Sequence, residues 1–360
     1  MCLRTVCGGE DNPQLPLLEL SLNDIEKIFP EEFIQNLNRM YMCGNYGDPI
    51  VAKDTLEVFR YFRKCNPQIH LAMFTNGSAK SENFWRDIAS VIDLVHFSVD
   101  GLQDTNHLYR KGTHFPTILK NIKAYVGAGG KAVWDFIVFR HNEHQIEEAR
   151  NLSRELGLES FNVKKTGRFF SNVKMAAKDK QVVFDRKGNV DYYIEMPVDE
   201  KYHNQALVQE SKLIEKYGSL EKYLDQTPVQ CKVAAEKSIY ISAVGHAFPC
   251  CWTANQLYPW YYPEKKSYMW KLLDELEGGV ASLDAKKFGL ETIVNGHFFQ
   301  KILVDSWERE SLKAGKPKCC AKTCGTEFDP FQAQFSKSEE NLLSKAKNFA
   351  DGLRNRFGNI

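Results

Sequence analysis

The chain has 360 residues, 47 basic and 46 acidic side chains and ten cysteines. That length holds one large domain or two ordinary ones, with ample material for a buried core. A net charge of +1 excludes the broad basic footprint of a nucleic-acid or anionic-membrane binder, and no apolar run reaches the length of a membrane span. With no secretory leader at its start, the sequence reads as a cytoplasmic protein that has neither membrane nor nucleic acid as partner.

In chain order, five short apolar segments have strand length and composition: Arg39 to Cys43, His70 to Phe74, Leu94 to Ser98, Ala132 to Phe139 and Ser160 to Lys164. Segments near 22–37, 53–65, 80–91, 114–126 and 143–156 carry apolar residues at helical spacing, as with Ile146, Ala149, Leu152 and Leu156. Strand then helix, repeated, predicts an α/β fold with parallel strands and outer helices. Asn142, with Gln145 three residues on, reads as a helix N-cap, and Gly157 as the stop at the other end. Gly127 to Lys131 leaves a helix and enters a strand, the reverse of a phosphate-cradling loop, and so predicts a plain turn.

Residues 1–166 therefore form a first domain. Residues 167–228 read as a polar connector with a hairpin that turns at Lys187-Gly188-Asn189. Residues 229–330 hold six cysteines and four of the six tryptophans in short, irregular elements, and predict a small cysteine-rich α+β domain. Residues 331–360 read as a charged amphipathic helix. The aromatic run Trp252, Tyr258, Trp260, Tyr261, Tyr262, Tyr268 and Trp270 suits the core of the third segment better than a substrate wall.

Polar residues recur where each strand ends, the place at which parallel barrels keep their chemistry. Gly44-Asn45-Tyr46-Gly47-Asp48-Pro49 follows the first strand and Thr75-Asn76-Gly77 the second; Ser98-Val99-Asp100-Gly101 closes the third, and Arg140 follows the fourth. Any one of these is ordinary turn chemistry. Four in register at one mouth point to a ligand site, where glycines admit close backbone approach and the polar groups hold an amine, a ribose or a carboxylate. Lys164, Lys165 and Arg168 at the last strand either meet an acidic group or are simply solvated.

The cysteines divide into Cys2, Cys7, Cys43 and Cys65, and then Cys231, Cys250, Cys251, Cys319, Cys320 and Cys324. Thiols clustered late in a cytosolic chain read as a metal or iron–sulfur site rather than a disulfide framework. Adjacent cysteines rarely both reach one metal, so the four ligands predicted are Cys231, Cys250, Cys320 and Cys324. Spacing alone suits tetrahedral zinc and a [4Fe–4S] cube equally, and four buried structural thiols are the plain alternative. Cys43 and Cys65, at a strand end and a helix end, fit that plain role.

The combination of Gly44–Pro49, Thr75–Gly77 and Ser98–Gly101 with Cys231-x13-Gly245-x4-Cys250 and Cys320-x3-Cys324 resembles the radical S-adenosylmethionine enzymes that carry a C-terminal SPASM or twitch domain. The resemblance implies a partial (β/α)6 TIM-like barrel and a small iron–sulfur domain. It also implies a [4Fe–4S] cluster held by Cys-x3-Cys-x2-Cys after the first strand, with S-adenosylmethionine chelated to its open iron and reductively cleaved to a 5′-deoxyadenosyl radical. Gly44, Gly47 and Asp48 match the motif near the methionyl amine, while Asn76, Ser98, Asp100 and Arg140 fall at strand ends that help hold the cofactor. The late thiols match an auxiliary [4Fe–4S] cluster.

No Cys-x3-Cys-x2-Cys occurs in the sequence. The expectation is a barrel lacking its first strand, with Cys2 the surviving third cysteine of a loop truncated upstream and the radical cluster impaired. The resemblance further implies a peptide or small-molecule substrate and an electron donor such as flavodoxin or ferredoxin. The reading from another class is a non-catalytic binding module stabilised by zinc on four cysteines. A pyridine-nucleotide dehydrogenase is disfavoured, because no Gly-x-Gly-x-x-Gly leaves a strand to open a helix.

Overall fold

The structure is a computed structural model that describes residues 3–171, 176–259 and 267–327. At its centre, β1 (Arg39–Met42), β2 (His70–Thr75), β3 (Leu94–Ser98), β4 (Ala132–Ile137) and β5 (Ser160–Lys164) lie in chain order, each parallel to its neighbour. Helices α1 (Leu22–Ile28) and α2 (Glu31–Ile34) precede β1. Helix α3 (Thr55–Cys65) follows β1, α4 (Glu82–Ala89) follows β2, α5 (Asn106–Tyr109) and α6 (Phe115–Gly127) follow β3, and α7 (Ile146–Glu155) follows β4. Every predicted strand forms, and this α/β parallel sheet is compatible with a partial TIM-like barrel.

The core lies between the sheet and its helices. Phe59 and Phe62 of α3, Trp85 and Ile88 of α4, and Ile118, Ile122 and Tyr125 of α6 pack on Leu71, Met73, Val95, Phe97, Trp134 and Phe136. Trp85 and Trp134 are fully buried without cost to their indole N–H groups, which donate to Ala79 O at 3.0 Å and Val99 O at 2.8 Å. Strand residues of the other parity face away from the helices.

Two local expectations are corrected. The helix predicted over 22–37 is broken at Pro30, whose ring cannot continue the α1 ladder and instead opens α2. Asn142 does not cap with its side chain. It is buried, donates to Asp100 O (2.8 Å) and Ile137 O (3.0 Å) and accepts from Phe139 N, so it ties the ends of β3 and β4 together. Gly157 does end α7, with φ +76, and Gly129 turns with φ +88 between α6 and β4.

Beyond β5, β6 (Phe170–Ser171) pairs with β7 (Ala176–Ala177), and β8 (Lys180–Phe184) with β9 (Val190–Glu195), the hairpin turning at Gly188 with φ +80. Helices α8 (Gln205–Tyr217) and α9 (Leu220–Gln226) lead to α10 (Lys232–Ala235), the β10 (Tyr240–Ile241) and β11 (Ala247–Phe248) pair, and α11 (Cys251–Ala254). Then come α12 (Tyr268–Asp274), α13 (Ala285–Phe288), α14 (Leu290–Val294), a π-helical turn over Phe298–Ile302, α15 (Leu303–Trp307) and α16 (Lys318–Cys324). A second core gathers Phe248, Leu257, Met269, Leu272 and Phe298 with Ile28 of α1, and Tyr258, Tyr268 and Trp270 pack against it. Trp260, Tyr261, Tyr262 and the helix predicted over 331–360 lie outside the described residues. Among the described residues, no helix is long and apolar enough to cross a membrane.

Candidate functional site

The loop after β1 is shaped by its own residues. Gly44 has φ +64, and a Cβ there would stand 3.0 Å from Gly47 O and 3.1 Å from Pro49 Cδ, so the turn itself demands glycine. Asp48 latches this loop to the next: Oδ1 accepts from Ile50 N at 3.2 Å and Oδ2 from Asn76 N at 2.6 Å. Burial pushes the Asp48 carboxyl up, against the pull of the Asn76 and Thr75 hydrogen bonds. Gly47 differs from Gly44. Its φ is not left-handed, and a Cβ would meet only Arg4 Nη1, at 3.6 Å. Neither φ nor packing within the chain requires glycine at 47.

The structure therefore brings Gly44, Gly47, Asp48 and Asn76 together. The Asn76 side chain accepts from Ser78 N at 2.8 Å and shapes its own turn. Ser98 ends β3, in register with Asp135 on β4. Asp100 is turned inward and fully buried: Oδ1 accepts from Ile137 N at 2.6 Å and Oδ2 from Arg110 Nε at 2.5 Å. Arg140 pairs with Glu195 of β9 at 2.6 Å. Asp100 and Arg140 thus already have protein partners, and they fix the ends of β3 and β4. Cys2 lies outside the described residues.

On the sheet face turned away from the helices stands a polar network of which the sequence singled out only Lys164, as either meeting an acidic group or solvated, and that group is Asp135. Lys164 Nζ lies 2.6 Å and His96 Nδ1 3.3 Å from Asp135 Oδ2, and Asn162 Nδ2 donates to Oδ1 at 3.0 Å. The His96 ring stacks on Phe74 with centroids 4.3 Å apart, and Lys164 Nζ sits 5.9 Å from the centre of the same Phe74 ring. Burial opposes the charge on Asp135, but the adjacent His96 ring and the Lys164 ammonium outweigh it and hold the carboxyl down to about 2. The available signal was an aspartate inside the otherwise apolar Ala132–Phe139 run.

The late thiols converge. Cys231, Cys250, Cys319, Cys320 and Cys324 line one cavity, closed by Trp252, Leu303 and Trp307. Four of these were the predicted ligands, and Cys319 is an addition. The Cys324 thiol donates to Cys231, and with the N–H groups of Ala234 and Val233 it lowers Cys231 to about 6 despite burial, while Cys324 is raised in exchange. Cys319 is lowered in the same way by Cys320, 3.9 Å away, and by the Tyr268 hydroxyl. Burial and the nearby Cys319 push Cys250 up to about 12. Two of the five thiols are thus biased toward thiolate, the form that binds metal. Among the described residues, no three His, Cys, Asp or Glu side chains converge as they do around a single ion.

Cys251 turns the other way, toward Cys43 and the Asn45 side chain of the mouth loop. Tyr46 completes this contact, its hydroxyl donating to Asn255 O at 3.0 Å and its ring meeting Tyr258 edge-on at 5.7 Å. The mouth loop and the thiol-bearing segment are therefore packed together.

Residues 10–152 match the family model of the Radical SAM superfamily. The match covers about two fifths of the chain. No curated protein matches the chain. Among solved structures, the chain is similar to SuiB of Streptococcus suis bound to S-adenosylmethionine, with 13% identity, a TM-score of 0.42 and coverage of 68% of this chain and 56% of that one. It is similar to SuiB bound to the precursor peptide SuiA at 14% identity and a TM-score of 0.48, covering 84% of this chain and 63% of that one. It is also similar to anSMEcpe with bound AdoMet and the Cp18Cys peptide, at 11% identity and a TM-score of 0.45, over 95% and 97% of the two chains. The chain thus spans little more than half of the SuiB chain in the first of these comparisons. The matched residues contain β1 to β4 and, with them, the whole mouth loop.

Proposed function

We propose that the chain is a protein of radical S-adenosylmethionine type whose mouth loop holds S-adenosylmethionine and whose thiol cavity holds an auxiliary [4Fe–4S] cluster, with radical catalysis impaired because the sequence has no Cys-x3-Cys-x2-Cys to hold the radical cluster. The observation that carries this reading is a glycine at 47 that neither φ nor packing within the chain demands, inside a loop that the radical SAM match includes. Gly44 supplies the turn, Asp48 holds the loop against the Asn76 amide, and Gly47 leaves its backbone accessible. Ser98, with the His96, Asp135 and Lys164 network, provides the polar face beside that loop.

The family implies S-adenosylmethionine and a [4Fe–4S] cluster, which together supply a 5′-deoxyadenosyl radical for hydrogen abstraction from substrate. The auxiliary ligands proposed are Cys231, Cys250, Cys320 and Cys324, and the donor set fits: five thiols meet in one cavity and two of them favour thiolate. One zinc ion with Zn–S distances of about 2.3 Å needs four sulfurs roughly 3.8 Å apart. Cys319 and Cys320 stand 3.9 Å apart, so sulfur spacing by itself does not choose between zinc and a cluster, and the choice rests on the family match. A peptide or small-molecule substrate, and a flavodoxin or ferredoxin as electron donor, complete the proposal.

Anaerobic reconstitution followed by iron, zinc and acid-labile sulfide analysis, with equilibrium dialysis of S-adenosylmethionine, tests it. Equal iron and sulfide, a brown chromophore and bound S-adenosylmethionine are expected. Zinc without sulfide, unfolding of the thiol-bearing segment by chelators and no S-adenosylmethionine binding would instead make the protein a zinc-stabilised binding module.

A further inference from the structure

Trp307 sits on the wall of the thiol cavity, alongside Cys320. Its indole Nε1 is enclosed, yet it makes no hydrogen bond of ordinary distance and angle to any oxygen, nitrogen or sulfur. Buried indole N–H groups normally have acceptors, as Trp85, Trp134 and Trp270 do in this chain. The cavity that this indole borders is lined by thiol sulfurs, Cys320 among them. A protonated thiol is a weak acceptor, whereas a thiolate is a charged one and draws an N–H donor in.

The backbone makes the placement specific. The π-helical turn Phe298–Ile302 directly precedes α15 and resets its phase, and Leu303 and Trp307, one turn apart, both face the cavity. π-Helical turns of this kind concentrate at functional sites.

We infer that Trp307 donates its indole N–H to the Cys320 sulfur when that sulfur is a ligand, and so raises the reduction potential of the cluster in the cavity. The inference rests on the auxiliary-cluster reading above. A hydrogen bond to a ligating sulfur stabilises the more negative, reduced form, and this is one of the protein's main controls over an iron–sulfur potential. Trp307 acts through Cys320 and is a positioning residue.

The test is a redox titration, followed by electron paramagnetic resonance, of the anaerobically reconstituted full chain and its Trp307→Phe variant, which keeps the ring and removes the donor. Iron and sulfide contents are expected to be equal in the two proteins. At a fixed poise near the midpoint, the variant's reduced-to-oxidised ratio should fall about tenfold, equivalent to roughly 59 mV for one electron. An unchanged midpoint at full cluster content overturns the role of Trp307 and leaves the cluster reading standing. Wild-type protein that takes up no iron and sulfide overturns both. If Trp307→Phe does not assemble, wild-type and Trp252→Phe proteins carrying ¹⁵N-indole tryptophan decide the question. A ¹⁵N coupling to the reduced cluster that persists in Trp252→Phe supports the inference, and its absence overturns it.

Discussion

Replacing Asp100 with asparagine separates two roles for a residue at the barrel mouth, holding the cofactor or holding the sheet. Asp100 is fully buried and its Oδ2 accepts from Arg110 Nε at 2.5 Å, while the Arg110 side chain is 25% exposed. Asparagine retains an acceptor for Ile137 N, so the loss falls on the ion pair. Stranding one partner of a buried pair costs about 3–5 kcal/mol, and the partial exposure of Arg110 puts the expected cost near 3 kcal/mol. At about 2–4 °C per kcal/mol for a domain of this size, Asp100→Asn should lower Tm by roughly 6–12 °C. The double variant Asp100→Asn with Arg110→Met removes the stranded charge and should recover a large part of that loss. Calorimetry gives Tm, and equilibrium dialysis below the transition gives S-adenosylmethionine affinity, which should stay within about threefold of wild type. An Asp100→Asn protein that melts with the wild type yet no longer binds S-adenosylmethionine would refute the structural assignment.

The glycines of the mouth loop should respond in opposite ways. Gly47→Ala should leave Tm within about 2 °C while weakening S-adenosylmethionine binding about tenfold or more, whereas Gly44→Ala, at φ +64, should cost about 1–2 kcal/mol in denaturant titrations. Asp135 is held down to about 2 from an ordinary 3.8, a difference worth about 2.4 kcal/mol. A lowered carboxyl contributes stability that is present above pH 4 and lost as pH falls toward 2, so Asp135→Asn should show a shallower acid limb in pH-dependent unfolding. Glu210 has the opposite sign, since burial raises it to about 7 against the weaker opposing pull of Lys322. Folded protein then keeps a proton that the unfolded chain releases, and stability falls as pH rises from about 4.5 to about 7. After solvent screening the effect is about 1–2 kcal/mol, and Glu210→Gln should abolish it.

The sheet was legible because each strand is a short apolar run with turn residues behind it, and these features are local. Pro30 was legible in principle too, since a proline eight residues into a helical stripe that begins at Leu22 signals a break. Asn142 misled because its neighbours form a capping pattern, while its actual partners, Asp100 O and Ile137 O, come from strands that only the folded sheet brings close. The His96, Asp135 and Lys164 network spans three strands, and no spacing in the sequence announces it. The six late cysteines showed which thiols exist. That Cys319 joins the cavity depended on the position of α16 against Cys250, which is a matter of tertiary packing.

Cys250 and Cys251 connect the two halves of the proposed site. Cys250 has φ −156 and ψ 166, and extended backbone sends consecutive side chains to opposite sides. One sulfur therefore enters the cavity with Cys231, Cys319, Cys320 and Cys324, while the next meets Asn45 and Cys43 at the end of β1. Helix α11 begins at this pair, and the Asn255 carbonyl just beyond its end accepts the Tyr46 hydroxyl of the mouth loop. A single helical turn is thus fixed to the mouth loop at both ends and to the thiol cavity at one. The thiol cavity and the mouth loop therefore meet at one peptide bond, that between Cys250 and Cys251.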